Sequence, residues 1–319
     1  HDLYYWIETW AGSFDLDEVL LTPTEIKAHR TALTLEQIPD GVEGTLKSQI
    51  DLNRPFDQAT LEEKINGRLT YLKKMLDEGR LVTWSGDALN AEEYGSFQSE
   101  AHQIVPPKTY VALEEFQIRC GPYPRALKRL DADQTIDRNA CTRVKPQTPI
   151  QILAHSPQGM RLIRSRLAIG WIGEEVKLSA KLTDKQVQDY LGEHFIYAPT
   201  VKSEKSDLFR TQMKQQSAML STLGGTRFPL VTAGLITGEE QPPPSIWVAG
   251  SDAVKVSTLS ELGIDQNTLS SAQRPLTRRS FLRTLFTMID QTYGLGGAQG
   301  GVDCSRLIVN ALEPFGLNP

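Results

Sequence analysis

Tyr293-Gly294-Leu295-Gly296-Gly297 leads through Gly300-Gly301 into Asp303-Cys304-Ser305-Arg306, where an apolar helical pattern begins. A cysteine in the first turn of a helix lies beside N–H groups that have no intrahelical acceptor, at the positive end of the helix dipole. Both favour an anion, so the sequence predicts a stabilised thiolate and a nucleophilic Cys304. The plainer alternative is a small buried cysteine in a core helix, as most free cysteines are. Glycines that let backbone approach a ligand, together with the flanking Asp303, favour the nucleophile. Such a thiol needs a base to take its proton and return it to the leaving group. The five histidines, His1, His29, His102, His155 and His194, all lie upstream of Cys304. The base is therefore expected on further chain or on a companion C-terminal fragment, or else the protein does not catalyse.

The length of 319 residues predicts two or three domains with a sizeable core. A net charge of −5 provides no basic footprint, so no nucleic-acid partner is expected. No apolar run approaches a membrane span. The chain begins at His1, which fits a removed leader or a residue left by a tag, and an export origin is one expectation. Cys120 and Cys141 fall in one β-rich segment, apart from Cys304. They could pair and leave Cys304 as the free thiol, or remain two unpaired buried cysteines. No Cys/His cluster has ligand spacing and no glycine-rich phosphate loop follows a strand, so neither metal nor cofactor is expected.

Thr22-Pro23-Thr24-Glu25 carries an N-cap threonine, a first-turn proline and a capping-box glutamate, and predicts a helix over 23–36. Thr60-Leu61-Glu62-Glu63 predicts a second over 60–78, with Ile65, Leu69, Leu72 and Leu76 on one apolar face. The aromatic start Tyr4, Tyr5, Trp6 and Trp10 reads as packing on these helices. Short β-prone runs follow at Tyr110–Cys120, Thr148–Ala154, Arg161–Ser165, Gly170–Ile172 and Val176–Leu178, the pattern of a small antiparallel barrel. Trp171 could stack on a ligand or sit in the barrel core. Beyond it lie a capping box at Thr183–Gln186, the β-prone Phe195-Ile196-Tyr197, a polar stretch over 202–217 that reads as solvated, and a strand at Ile246-Trp247-Val248. Thr277 is a predicted N-cap for a helix carrying Phe281, Leu282, Leu285, Phe286 and Ile289. Leu307, Ile308, Ala311 and Leu312 make the face of a last helix, ended by Pro314 and Gly316. These two apolar helices need a partner to bury against, expected to be a sheet.

With those residues in place, the chain resembles the NlpC-family cell-wall cysteine peptidases of a multidomain type. The likeness runs through Leu21-Thr22-Pro23-Thr24-Glu25-Ile26, the barrel from Arg138 to Trp171, Gly225-Thr226-Arg227-Phe228-Pro229 and Pro275-Leu276-Thr277-Arg278-Arg279, to the glycine loop and Asp303-Cys304-Ser305. Only the last is a specific motif. The resemblance implies an α+β multidomain fold. Residues 1–105 would form an N-terminal helical stabilising domain, 106–180 an SH3-like β-barrel, 181–272 a barrel extension and linker layer, and 273–319 the start of a papain-like domain. It implies an exported, periplasmic or envelope-associated hydrolase of the bond between γ-D-glutamate and the diamino acid in peptidoglycan stem peptides. Carried over residue by residue, Cys304 matches the nucleophile, Asp303 and Ser305 border the D-glutamyl group, and Tyr293 lines the same cleft. The barrel would wall one side of that cleft and favour stem peptides with a free N-terminal alanine. Leu295 stands where the family usually has tryptophan, and Arg306, a bulky cation, where it often has glycine. The alternative is a non-catalytic wall-peptide or protein binding module built on the SH3-like domain, with a degenerate peptidase part. Acyl transfer or redox chemistry on the same thiol is more remote.

Overall fold

The computed structural model describes residues 15–32, 52, 58–98, 102–192, 194–197, 226–231, 245–258, 270–271, 275–286, 293–295 and 301–317. In chain order the first elements are β1 (Val19–Leu21), α1 (Pro23–Ala32), α2 (Gln58–Asp77), β2 (Leu81–Thr83) and α3 (Ala91–Gly95). The strands β3 (Gln103–Val111), β4 (Phe116–Arg119), β5 (Leu127–Arg129), β6 (Ala140–Val144), β7 (Pro149–His155), β8 (Arg161–Ser165) and β9 (Ile169–Ile172) follow. After them come α4 (Asp184–Leu191), β10 (Phe195–Tyr197), β11 (Arg227–Pro229), β12 (Ser245–Ala249), β13 (Val254–Thr258), β14 (Ser270–Ser271) and β15 (Leu276–Thr277). The helices α5 (Arg278–Phe286) and α6 (Cys304–Leu312) close the described chain, with a 3-10 turn at Glu313–Phe315. The fold is α+β. The stretch 202–217, the aromatic start and Ile289 lie outside the described residues.

The Thr22 start holds, whereas α2 begins at Gln58, so Thr60, the expected cap, lies inside its first turn. Glu25 N–H donates to Thr22 Oγ1 at 3.2 Å and Thr22 N–H to Glu25 Oε2 at 2.7 Å, a reciprocal capping box. The stripe of α2 is buried at Leu61, Ile65, Leu69, Leu72 and Met75. It packs on Leu153, Leu162 and Trp171 of the sheet, with Phe97, Tyr123 and Leu127. The two helices bury their faces in different places, because Ile26 of α1 joins Leu276 and Phe315 of the C-terminal unit.

Six strands make one antiparallel sheet in the order β3-β7-β8-β9-β4-β6. Its second face packs Ile118, Ile150, Ile152, Ile163 and Ile172 against Ala112, Phe116, Val144 and Val176. Fully burying one such Leu or Ile side chain stabilises by roughly 1.5–3 kcal/mol, so a sheet covered on both faces is the stable centre of the molecule. Trp171 is 3% exposed and belongs to the core rather than to a stacking surface. Next to it, a Cβ on Gly170 would come within 2.4 Å of the Arg119 carbonyl oxygen, so β9 can pass β4 only with glycine there.

The predicted closed barrel is not found among the described residues: the end strands β3 and β6 do not pair. Where a ladder would close, the turn after β6 bonds Ala112 instead, through Gln147 N–H at 2.8 Å and the Thr148 carbonyl at 2.9 Å. The expected single strand Tyr110–Cys120 is two, the end of β3 and β4, which lie at different places in the sheet. Val176–Leu178 supplies only one isolated bridge, from Leu178 to Ala112. The start of β3 escapes prediction because Pro106 and Pro107 read as breakers. They are tolerated on an edge strand, inside a register shift between Ile104 and Lys108. Cys120 and Cys141 form a disulfide between neighbouring strand segments.

The Thr183 capping box is present, with Thr183 N–H to Gln186 Oε1 at 2.9 Å and Gln186 N–H to Thr183 Oγ1 at 3.3 Å. Beyond it, β10 pairs with β11 and β14, while β12 and β13 form a hairpin. In the C-terminal unit β15 pairs with β1, from the other end of the chain. Asp17 and Glu18 form ion pairs with Arg279 and Arg278 across that contact.

Candidate active site

Thr277 caps α5 as expected, accepting from Ser280 N–H at 3.1 Å while Ser280 Oγ accepts from Thr277 N–H at 3.0 Å. The helix thus starts at Arg278 and carries Phe281 into the cluster with Leu312 of α6. After α5, Gly294 N–H reaches the Val302 carbonyl at 3.4 Å. That bond sets residue 294 beside Val302, which precedes Asp303. Tyr293 is 66% exposed, available to a ligand rather than part of the core.

Cys304 is the first residue of α6, a free and exposed thiol. Asp303 is the N-cap: its carboxylate accepts the Arg306 N–H at 2.7 Å, and its carbonyl accepts the Leu307 N–H at 2.9 Å. It is 9% exposed. The side chain expected to border substrate is therefore engaged in starting the helix that carries Cys304, and its negative charge lies on the favourable end of the dipole. Helix geometry leaves the N–H groups of residues 304 and 305 without an intrahelical acceptor. The side chain of Ser305 lies outside the described residues.

Helical spacing divides α6 into two faces. Cys304, Leu307 and Ile308 share one, on which Leu307 and Ile308 are 37% and 52% exposed. Asp303, Arg306, Asn310 and Glu313 recur at intervals of three and four on the other. Glu313 lies 3.8 Å from the Lys145 ammonium, in the turn after β6. Burial pushes the Arg306 guanidinium below its ordinary pKa, against the pull of Glu313, Glu115 and Asp303. Its Nη1 and the Asn310 Oδ1 are both buried and have no hydrogen-bond partner. The sequence marked Arg306 only as a departure, and nothing in it pointed to Lys145. The three-and-four spacing of Asp303, Arg306, Asn310 and Glu313 was the available signal for a polar helix face that must be covered.

The structure brings together Cys304, Asp303 and, through the loop, Tyr293, but no described histidine is bonded to them. Nε2 of His102 donates to the Ser96 carbonyl at 2.9 Å, edge-on to Trp171. Burial holds its pKa below the ordinary value, so the ring is neutral. His155 sits in β7, paired with Gln103 and Arg161, and His194 is exposed before β10. His1 and the side chain of His29 lie outside the described residues. No described helix is long and apolar enough to cross a membrane, and no described group of three acidic, histidine or cysteine side chains could hold a metal ion.

No protein-family model matches the chain, and no curated protein matches it. Among solved structures it is similar to a novel NlpC/P60 endopeptidase from Photobacterium damselae subsp. piscicida, with a TM-score of 0.62 at 16% sequence identity. The likeness covers 95% of this chain and 65% of the length of that one. At that identity it is the fold that is shared: this chain has an α+β fold like that of an NlpC/P60 endopeptidase.

Proposed function

We propose that the protein is a cysteine endopeptidase of the cell wall, cleaving the γ-D-glutamyl to diamino acid bond of peptidoglycan stem peptides. One observation carries this: an exposed free thiol starts a helix capped by the adjacent aspartate, on a fold like that of an NlpC/P60 endopeptidase. In this mechanism the Cys304 thiolate attacks the amide carbonyl, and the oxyanion is held by first-turn N–H groups. The C–N bond breaks, the amine leaves with the thiol's proton, returned by a general base that the described histidines do not supply, and water hydrolyses the thioester. Tyr293 and Ser305 border the glutamyl group. Asp303 holds the helix start in place and presents the thiol. The six-stranded sheet, with Trp171 in its core, stands as one wall of the cleft in place of the expected SH3-like barrel. The Cys120–Cys141 disulfide supports an exported, oxidising location.

The binding-module alternative is favoured by one observation, that the described histidines are engaged elsewhere or stand apart from Cys304. Incubation with L-alanyl-γ-D-glutamyl-diaminopimelate, read by mass spectrometry, separates the two. Release of diaminopimelate by the protein and not by Cys304→Ala is the expected result. Binding of the peptide without release by either form would overturn catalysis and leave the binding module.

A further inference from the structure

The turn joining β6 to β7 links the central sheet to the helix that carries the thiol. Gln147 within it has φ 63°, a conformation that L side chains rarely adopt, and is 1% exposed. Its side-chain amide clasps the backbone of β12: Oε1 accepts from Ala249 N–H at 2.8 Å and Nε2 donates to the Ala249 carbonyl at 3.1 Å. Tyr190 Oη adds a third bond at 3.3 Å, and Gln147 N–H reaches the Ala112 carbonyl. A strained residue so over-determined is held for a reason. Two residues earlier, across Pro146, the Lys145 side chain is 14% exposed and its ammonium lies 3.8 Å from Glu313. Glu115 also attracts it, Arg306 repels it, and Arg143 holds Glu115 at 2.9 Å. With Asp303 on the Arg306 face, three cations and three anions meet in one half-buried patch.

A buried ammonium loses its hydration, and an attraction at 3.8 Å, too long for a strong hydrogen bond, recovers only part of that cost. Desolvation is accordingly the dominant influence on Lys145, lowering its pKa. Lys145 is thus a poor source of stability. In the structure Glu313 faces its charge, while Arg306 opposes it.

We propose that Lys145 is a positioning residue: acting through Glu313 and Arg306, it fixes where the thiol-bearing helix α6 sits against the sheet, and the Gln147 turn holds it there. The proposal rests on the peptidase reading only in treating Cys304 as the nucleophile.

The test compares Lys145→Met, Lys145→Arg and Glu313→Gln in the full chain, by thermal unfolding and by amide hydrogen exchange. Lys145→Met is expected to keep or raise the unfolding midpoint, while amides of 304–309 exchange about tenfold faster relative to those of 150–154. Lys145→Arg is expected to bring α6 exchange back to within about twofold of wild type, because the cation is what positions. Glu313→Gln, which leaves the Lys145 charge uncompensated, is expected to lower the midpoint. On the stem peptide, Lys145→Met is expected to lower kcat with KM unchanged. The proposal is overturned if Lys145→Met fails to fold, lowers the midpoint as Glu313→Gln does, or leaves α6 exchange unaltered. It is equally overturned if the arginine variant restores nothing. A wild type that cleaves no stem peptide refutes the peptidase reading alone, since the exchange and unfolding results still decide the role of Lys145.

Discussion

Replacing Asp303 with alanine removes the acceptor that starts α6. The lost bond is the 2.7 Å contact from Arg306 N–H, made by a carboxylate only 9% exposed. An N-cap of this kind contributes about 0.5–2 kcal/mol, and a carboxylate on the positive helix end a further 0.3–1 kcal/mol or so. Asp303→Ala is therefore expected to destabilise the first turn of α6 by about 1–3 kcal/mol. Because a tenfold change corresponds to about 1.4 kcal/mol, the amides of Arg306 and Leu307 should exchange roughly 5- to 150-fold faster. Asp303→Asn keeps the acceptor and loses the charge, so the same amides should speed up by no more than about fivefold. Hydrogen exchange read by NMR or by mass spectrometry of the peptide covering 303–309 gives both numbers. Equal acceleration in the two variants would refute the cap, since it would make charge rather than the hydrogen bond responsible. No acceleration in Asp303→Ala would refute it more directly.

Further outcomes follow from other parts of the molecule. Gly170→Ala should cost about 1–3 kcal/mol in urea unfolding, because the new methyl group meets the Arg119 carbonyl and Ile118 Cγ2 at 2.4 and 2.5 Å; wild-type stability would contradict that close passage. Leu69→Ala, at a side chain 1% exposed between α2 and the sheet, should cost about 2–5 kcal/mol by the same measurement. Removing the disulfide as Cys120→Ala with Cys141→Ala opens a loop of sequence separation 21 and should cost about 3 kcal/mol, while Cys304 alkylation by iodoacetamide persists. Burial lowers the folded-state pKa of His102, so the unfolded chain binds the extra proton. The stability due to its neutral ring is complete above the unfolded value near 6.5 and is lost as pH falls through it towards the folded value. Urea midpoints should thus decline between about pH 7 and pH 5, and more shallowly in His102→Gln; equal slopes would remove His102 as a cause.

Local signals carried well from sequence to structure. The caps at Thr22, Thr183 and Thr277 all form, because each depends only on a hydroxyl and a backbone N–H three residues away. The α2 stripe was legible for the same reason: its three- and four-residue spacing fixes a face whatever covers it. The sheet was less so. Proline in β3 is acceptable only because that strand is at the edge, and β6 lacks an apolar alternation to announce it. At the candidate site the cysteine at a helix start and the glycine run before it were visible in one contiguous stretch. What could not be read were groups brought there from a distance. Lys145 reaches Glu313 only because a strained turn aims it, and Asp303 took a capping role because a short acidic side chain before a helix satisfies backbone first.

The pairing of β1 with β15 gives the molecule a particular order of completion. Glu18 and Arg278, which meet there, are 260 residues apart in the chain. At a synthesis rate of 5–20 residues per second, the first must wait about 13 to 50 seconds for the second to be made. During that interval the central sheet can fold from contacts much nearer in sequence, whereas Ile26, Leu276 and Phe315 have nothing to close on. The unit that carries Cys304 is therefore completed after the central sheet and waits on a segment from the start of the described chain. A deletion within residues 15–26 is expected to leave the sheet standing and to loosen the unit that carries Cys304.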